Sequence, residues 1–429
     1  MWARGDTVAV FDIIVWPLLV MLSLAVSYLY ILALFGLLDR RRRPQPSDNW
    51  RTLVLIPAHN EEDGIDTSLD SLERLESFGV HEIVVIADNC SDNTAEVVRQ
   101  RGVSVLERID LSNRGKGYAL QWAVDKLDIG SFDVVVVIDA DTRVEPNMLR
   151  AVAASLQNSA GAVQLCNELS VERHTPLAHL QHMANAVENH LFWGGRAKLR
   201  LPILLRGTGM AIAAHLLEKH PFSGEALAED TDYSIDLLKN GVRIDFSTDS
   251  TVRSAAASSY SQALSQKDRW ASGTFQSMRE RWWPLVKTGL GQGRGSLLEL
   301  AWAFLLLSRP FLIYLTVLAM IPAIFAEPSM RLWYLGWAAA LAILLVVYLM
   351  MGVVLVSDKA ATARALLHIP YFAIWLLVIQ VKAIFGGRKK EWVRTTRLAD
   401  RVSSKSLKSD RAEGPSSRIT TPRTSEEGD

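Results

Sequence analysis

The sequence predicts an α/β domain with a largely parallel sheet, flanked by transmembrane helices. Three observations carry this expectation. Short β-branched runs alternate with amphipathic segments between residues 51 and 285, the pattern of repeated βαβ units. The run Val134–Val135–Val136–Val137–Ile138 has no polar alternation, as expected of a central strand covered on both faces. Apolar runs of membrane-spanning length lie on either side of this region. The charge balance, 46 Lys+Arg against 46 Asp+Glu, gives no global pull toward nucleic acid, so no nucleic-acid partner is expected. The two cysteines, Cys90 and Cys166, cannot build a disulfide framework and lack zinc-ligand spacing, which fits a reducing compartment.

Residues 8–38 contain Asp12 as their only charge and are long enough to span a bilayer with some tilt. No small-residue cleavage site follows. Instead Arg40, Arg41, Arg42 and Arg43 come directly after, which marks the cytoplasmic side. Residues 1–43 are therefore expected to be an uncleaved anchor with its N-terminus outside. A short polar linker leads into a cytoplasmic domain at 50–285. Strands are expected at 52–57, 82–87, 103–106, 133–139 and 162–166, with helices at 65–77 and 94–100.

Apolar runs return at 297–326, 332–356 and 366–385, making 297–386 a C-terminal membrane region. A fourth crossing by 366–385 would put Arg388, Lys389, Lys390, Arg394 and Arg397 outside, against the positive-inside rule. Pro370, Gln380 and Lys382 weaken that last run, so it is expected to lie in the cytoplasmic interface or to re-enter. Residues 399–429 are polar and aperiodic, and are expected to be disordered.

Ligands of open α/β sheets sit beyond the carboxyl ends of the strands. Four polar clusters follow expected strand ends here: Pro57–Ala58–His59–Asn60–Glu61–Glu62, the stretch from Asp88 to Thr94, Asn113–Arg114–Gly115–Lys116–Gly117, and Asp139–Ala140–Asp141. Each has a bland reading. Asn60 or Asp92 serves equally well as a helix cap, and Lys116 as a solvated side chain. Four on one sheet edge are harder to dismiss. Val137 and Ile138 drive their strand into the core, so Asp139 and Asp141 emerge at its rim as close like charges. Such a pair favours a shared cation. Oxygen ligands of this kind suit Mg²⁺ or Mn²⁺, with a departing diphosphate completing the shell.

In order and spacing these motifs resemble the membrane-embedded inverting glycosyltransferases of family 2, the group of cellulose, chitin and hyaluronan synthases. Further along, Gly207–Thr208–Gly209, Ala228–Glu229–Asp230 and Gln266–Lys267–Asp268–Arg269–Trp270 complete the set. The resemblance implies a Rossmann-like domain of the glycosyltransferase-A type. It assigns Glu61 and Asp88 to the nucleoside, Lys116 to the nucleotide, and Asp139 and Asp141 to metal and diphosphate. Asp230 becomes the base that deprotonates the acceptor, with Glu229 beside it. Gln266, Arg269 and Trp270 would bind diphosphate and acceptor sugar. Arginine suits phosphate through its planar fork, and tryptophan offers a rigid platform to a sugar face.

The implied enzyme is a metal-dependent hexosyl- or N-acetylhexosaminyltransferase in the plasma membrane. It would use a nucleotide-sugar, expected to be a UDP-sugar, and a polysaccharide or lipid-linked acceptor. Membrane lipids are expected partners, as are export proteins, because the C-terminal membrane region is small. The acidic element reads Ala-Glu-Asp where Thr-Glu-Asp is usual, but keeps both carboxylates. His174, His179 and His182 are spaced around Pro176 without a supporting Cys or acidic pattern, and are read as packing residues. Trp282 and Trp283 are read as interface anchors.

Overall fold

A computed structural model describes residues 3–38, 45–157, 161–224, 228–306 and 309–385. The arginines at 40–43, the basic cluster from Arg388 to Arg397 and the polar tail lie outside the described residues. All five expected strands form: β1 (Arg51–Ala58), β2 (Val80–Asp88), β3 (Ser104–Arg108), β4 (Val134–Val137) and β6 (Ala162–Ser170). Three more complete the sheet: β5 (Arg143–Val144), β7 (Met210–Ala213) and β8 (Ile244–Ala255). The order is β3-β2-β1-β4-β7-β6-β8-β5.

The first four strands in that order are parallel, as expected, and their carboxyl ends share one edge. The rest of the sheet is mixed, because β7 runs antiparallel to both β4 and β6, and β5 antiparallel to β8. The short β7 carries no periodic signal, and Ser and Thr dilute the apolar alternation of β8. Alternate side chains enter two layers. Leu53, Leu55, Val135 and Val137 join one core, while Val54, Ile56, Val134 and Val136 join the other. All eight are buried, which explains the unbroken apolar character of β4.

The apolar runs form helices at Ala3–Leu37, Gly295–Leu305, Arg309–Ile324, Pro328–Met350 and Ile369–Phe385. Among the described residues, three stretches are long and apolar enough to cross a membrane: Ile13–Leu37, Pro328–Leu355 and Lys359–Phe385. The run expected at 297–326 is two shorter helices, with Pro310 in the first turn of the second, where a missing N–H costs nothing.

Contacts give the helices a direction. Trp337 Nε1 donates to Ser23 Oγ at 2.8 Å, and Tyr30 OH to the Leu344 carbonyl at 2.9 Å. Helices Ala3–Leu37 and Pro328–Met350 therefore run parallel, both ending against the α/β domain. Arg309 starts its helix at that same end, 3.7 Å from Glu188, and the helix returns antiparallel to Pro328–Met350. The last helix lies along the long helix Tyr260–Gly291. Tyr260 meets Tyr371 and Trp375 edge-on, and Arg279 Nη2 donates to the Ile384 carbonyl at 2.9 Å.

A buried ion pair ties the first helix to the domain. Arg196, fully buried, donates to both oxygens of Glu299 (2.8 and 2.9 Å), to Tyr28 OH (2.5 Å) and to the Pro202 carbonyl. Close packing accompanies it. A Cβ at Gly195 would lie 2.1 Å from the Leu32 carbonyl oxygen, so only glycine lets the two backbones approach.

Candidate active site

The loops after β1 and β2 form one unit. Asn60 and Asn89 adopt left-handed φ of 56° and 51°, which asparagine tolerates best among residues with a side chain. Asn60 Oδ1 accepts from Ser91 N at 2.7 Å, and Glu62 Oε2 from Asn93 N at 2.9 Å. Glu61 N donates to Thr94 Oγ1 at 2.8 Å. Asn60, Glu62, Asp92 and Thr94 thus hold the loops together. Asp88 ends β2 and is buried. Its Oδ1 accepts from Arg108 Nη1 at 2.6 Å and from Asn89 Nδ2 at 3.0 Å. Arg108, itself buried, also reaches Asp110 and the Asn113 carbonyl, so it orients Asp88 and anchors the loop that leads to Lys116.

Beyond β4 the charged groups converge on the turn Gly207–Thr208–Gly209. Thr208 Oγ1 accepts from Asp139 N at 3.0 Å. Lys116 Nζ donates to the Gly207 carbonyl at 2.8 Å and pairs with Asp139. Gly207 has φ +80°, and a Cβ there would sit 3.4 Å from Asp230 Oδ2 and 3.7 Å from Lys116 Nζ. Below the turn, fully buried Gln164 accepts from Arg206 N (2.7 Å) and donates to the Thr208 carbonyl (2.8 Å), fixing the turn from inside.

Asp230 and Glu229 begin the helix Glu229–Lys239. Burial pushes the Glu229 carboxyl up to about 7, and the neighbouring Asp230 charge adds to the effect, against the pull of Lys116 and Arg269. Burial raises Asp230 as well, while its bond from Thr231 N (2.7 Å) and the Lys116 charge oppose the rise. Burial disfavours the Lys116 ammonium, yet the carboxylates of Asp139, Glu229 and Asp230 outweigh it and hold its pKa above the ordinary value. The site therefore stores several acidic groups around one lysine. A divalent cation fits this donor set. Asp141 is exposed at the rim, and Asp139 is held there by its backbone bond to Thr208.

Gln266, Arg269 and Trp270 lie on helix Tyr260–Gly291, with Trp270 42% exposed. Lys267 Nζ sits 4.8 Å from the Trp270 ring centroid. Trp283 is exposed, and Trp282 Nε1 donates to the Ala301 carbonyl at 3.0 Å. Arg281 pairs with Asp232 (3.1 Å) and joins this helix to the one bearing Asp230. Sequence reading passed over Arg108, Gln164, Arg206 and Glu188, whose neighbours come from distant segments. Glu188 accepts from Trp193 Nε1 at 3.1 Å. Burial works to raise its carboxyl, but Arg309, Arg206 and Lys267 hold it below the ordinary range. Three cations around one carboxylate thus lie where the catalytic domain meets the apolar helices.

Comparison with known proteins identifies the family and the fold. The family described as "Glycosyltransferase like family 2" matches residues 49–273. "Probable glycosyltransferase YdaM" of Bacillus subtilis is 28% identical over 247 residues, 54% of this chain and 58% of the relative. "Beta-monoglucosyldiacylglycerol synthase" of Trichormus variabilis is 26% identical over 259 residues, 56% of this chain and 52% of the relative. The chain thus spans about half the length of the curated relatives it matches. Among solved structures, a mannosyltransferase of Pyrobaculum calidifontis in complex with GDP-Man and Mn²⁺ superposes with a TM-score of 0.56 at 19% identity. The match covers 88% of this chain and 100% of that one. The fold is that of the glycosyltransferase-A nucleotide-sugar transferases.

Proposed function

The chain belongs to glycosyltransferase family 2, and from that premise we propose that it transfers a hexosyl or N-acetylhexosaminyl group from a UDP-sugar, with inversion, onto a growing surface polysaccharide. The observation that carries this reading is the convergence of Lys116, Asp139 and Asp230 on the Gly207 turn, with Arg269 within electrostatic reach of Glu229. Asp230 takes the proton of the acceptor hydroxyl as its oxygen attacks the anomeric carbon. The bond from that carbon to the diphosphate breaks, and the diphosphate leaves with the electron pair. Lys116 and Arg269 supply positive charge to the departing group. Mg²⁺ or Mn²⁺ held by Asp139 and Asp141 would neutralise further charge there. Trp270 supports the acceptor sugar, and Glu61 with Asp88 holds the nucleoside.

A lipid or lipid-linked acceptor is the second reading. It is favoured by the likeness to a lipid glycosyltransferase over 56% of the chain and by the cationic cluster beside the apolar helices. Purified protein in detergent, given a panel of nucleotide-sugars and Mg²⁺ or Mn²⁺, separates the readings. Release of UDP with a lengthening carbohydrate supports the first, and a singly glycosylated lipid the second. Absence of nucleotide release with every donor would sink both.

The same proposal includes an orientation in the plasma membrane. The first helix and Pro328–Leu355 cross from outside to inside, and Arg309–Ile324 crosses outward between them. Their parallel and antiparallel contacts support the relative directions, and the arginines at 40–43 of the sequence support the side. The last helix stays at the cytoplasmic face along Tyr260–Gly291, which keeps Arg388 and Lys389 inside.

A further inference from the structure

Two histidines read from the sequence as packing residues meet an aspartate from a distant segment. His174 precedes the helix Pro176–Ala186, and His179 lies in its first turn. Thr175 Oγ1 accepts from Ala178 N at 3.2 Å, and His179 N donates to the Thr175 carbonyl at 3.1 Å, which fixes the backbone between the two histidines. Asp358 caps the helix Lys359–Ala365, with its Oδ1 accepting from Ala361 N at 2.9 Å. One donor atom from each of the three residues lies within 4.8 Å of the other two.

We propose that His174, His179 and Asp358 bind a borderline divalent cation, Zn²⁺ first among them, which staples the catalytic domain to the connector between the last two long apolar segments. His174 Nδ1 and His179 Nε2 are 3.2 Å apart. Two nitrogens at zinc-bonding distance on a tetrahedron are separated by about 3.3 Å, so the pair already spans one edge of such a shell. An oxygen from Asp358 supplies a third ligand, and the exposure of His174 and Asp358 leaves room for water at the fourth. The groups facing His179 are Asp358, His174, His182 and Arg364. His182 is engaged elsewhere, its Nδ1 lying 2.5 Å from the Leu169 carbonyl oxygen. The donor set of two nitrogens and one oxygen differs from the all-oxygen pair Asp139 and Asp141, so the two places select different ions.

The bland alternative is an imidazole pair sharing one hydrogen bond at the same distance. Metal analysis of the tag-free full chain in detergent separates the two. After chelation and dialysis against Zn²⁺, the wild type should retain one zinc per chain and gain thermal stability beyond any gain that Mg²⁺ gives. Co²⁺ should produce visible ligand-field bands. His174→Ala changes an exposed residue and should fold. It should lose the bound zinc, the stability gain and the cobalt bands, and Asp358→Asn should weaken zinc binding at least tenfold. Asp141→Ala should leave zinc retention unchanged. No retained zinc in the wild type, or equal retention in His174→Ala, would overturn the proposal and leave the hydrogen-bonded pair.

Discussion

Asp230 and Glu229 stand side by side in different electrostatic surroundings. Asp230 turns one oxygen toward Lys116 and the Gly207 turn, where an acceptor hydroxyl would be deprotonated. Asp230→Asn should lower transfer by about 10²-fold or more while UDP binding stays within a few-fold of wild type. Near-normal turnover in that variant would remove Asp230 as the base. Asp141→Ala should instead lose the metal-dependent part of donor binding. For Glu229 the sign of the pH effect follows from its raised pKa. The folded protein holds this proton up to about pH 7, whereas the unfolded chain releases it near the ordinary value of 4.5. Folding binds the proton more tightly, so stability falls as pH rises between those values and is level above. Glu229→Gln should therefore melt a few degrees above wild type at pH 8, with the difference closing toward pH 5. An equal difference at both pH values would disprove the assignment. At Trp270, replacement by Ala should raise donor hydrolysis relative to transfer, and replacement by Phe should do so far less. Equal effects would point to packing.

At the scale of elements, the junction between the first helix and the domain rests on Arg196 and Gly195. Arg196→Ala leaves Glu299 without its bidentate partner in a largely dry setting, a loss of about 3–5 kcal/mol by the usual cost of breaking a buried pair. Gly195→Ala forces a methyl group onto the Leu32 carbonyl, so the two backbones must separate. Both variants should melt earlier in detergent, and cysteine pairs placed across the junction should cross-link less. An unchanged melting temperature for Arg196→Ala would show that the junction is held by apolar packing alone.

For the whole molecule, the membrane arrangement depends on where the chain breaks its apolar runs. The earlier run splits into Gly295–Leu305 and Arg309–Ile324, while the last run is a long helix against Tyr260–Gly291. By length and composition that last helix also qualifies as a span, so its place rests on its contacts with the helix carrying Arg269 and Trp270. Ser403→Cys, in a background lacking Cys90 and Cys166, should resist an impermeant thiol reagent in intact cells. It should react once the cells are opened. Labelling of intact cells would place the tail outside and show that the last helix crosses the membrane.

Much was legible without coordinates because it follows from local physics. The Val134–Val137 run had to be a strand covered on both faces, and the apolar runs had to form helices, since no other local structure satisfies their backbone and side chains together. The rim position of Asp139 and Asp141 follows from that strand, and the clusters after the parallel strands share one edge. Other features needed the tertiary structure. β7 is four residues long and exists only because β4 and β6 supply its hydrogen bonds. Arg108 beneath Asp88, Gln164 beneath the glycine turn, and Arg196 against Glu299 are buried polar groups that their partners make tolerable. His174 and His179 became a candidate ligand pair when the chain brought Asp358 beside them. Sequence periodicity records which face of an element is buried. A polar contact between distant segments leaves no period, and only the folded packing decides it.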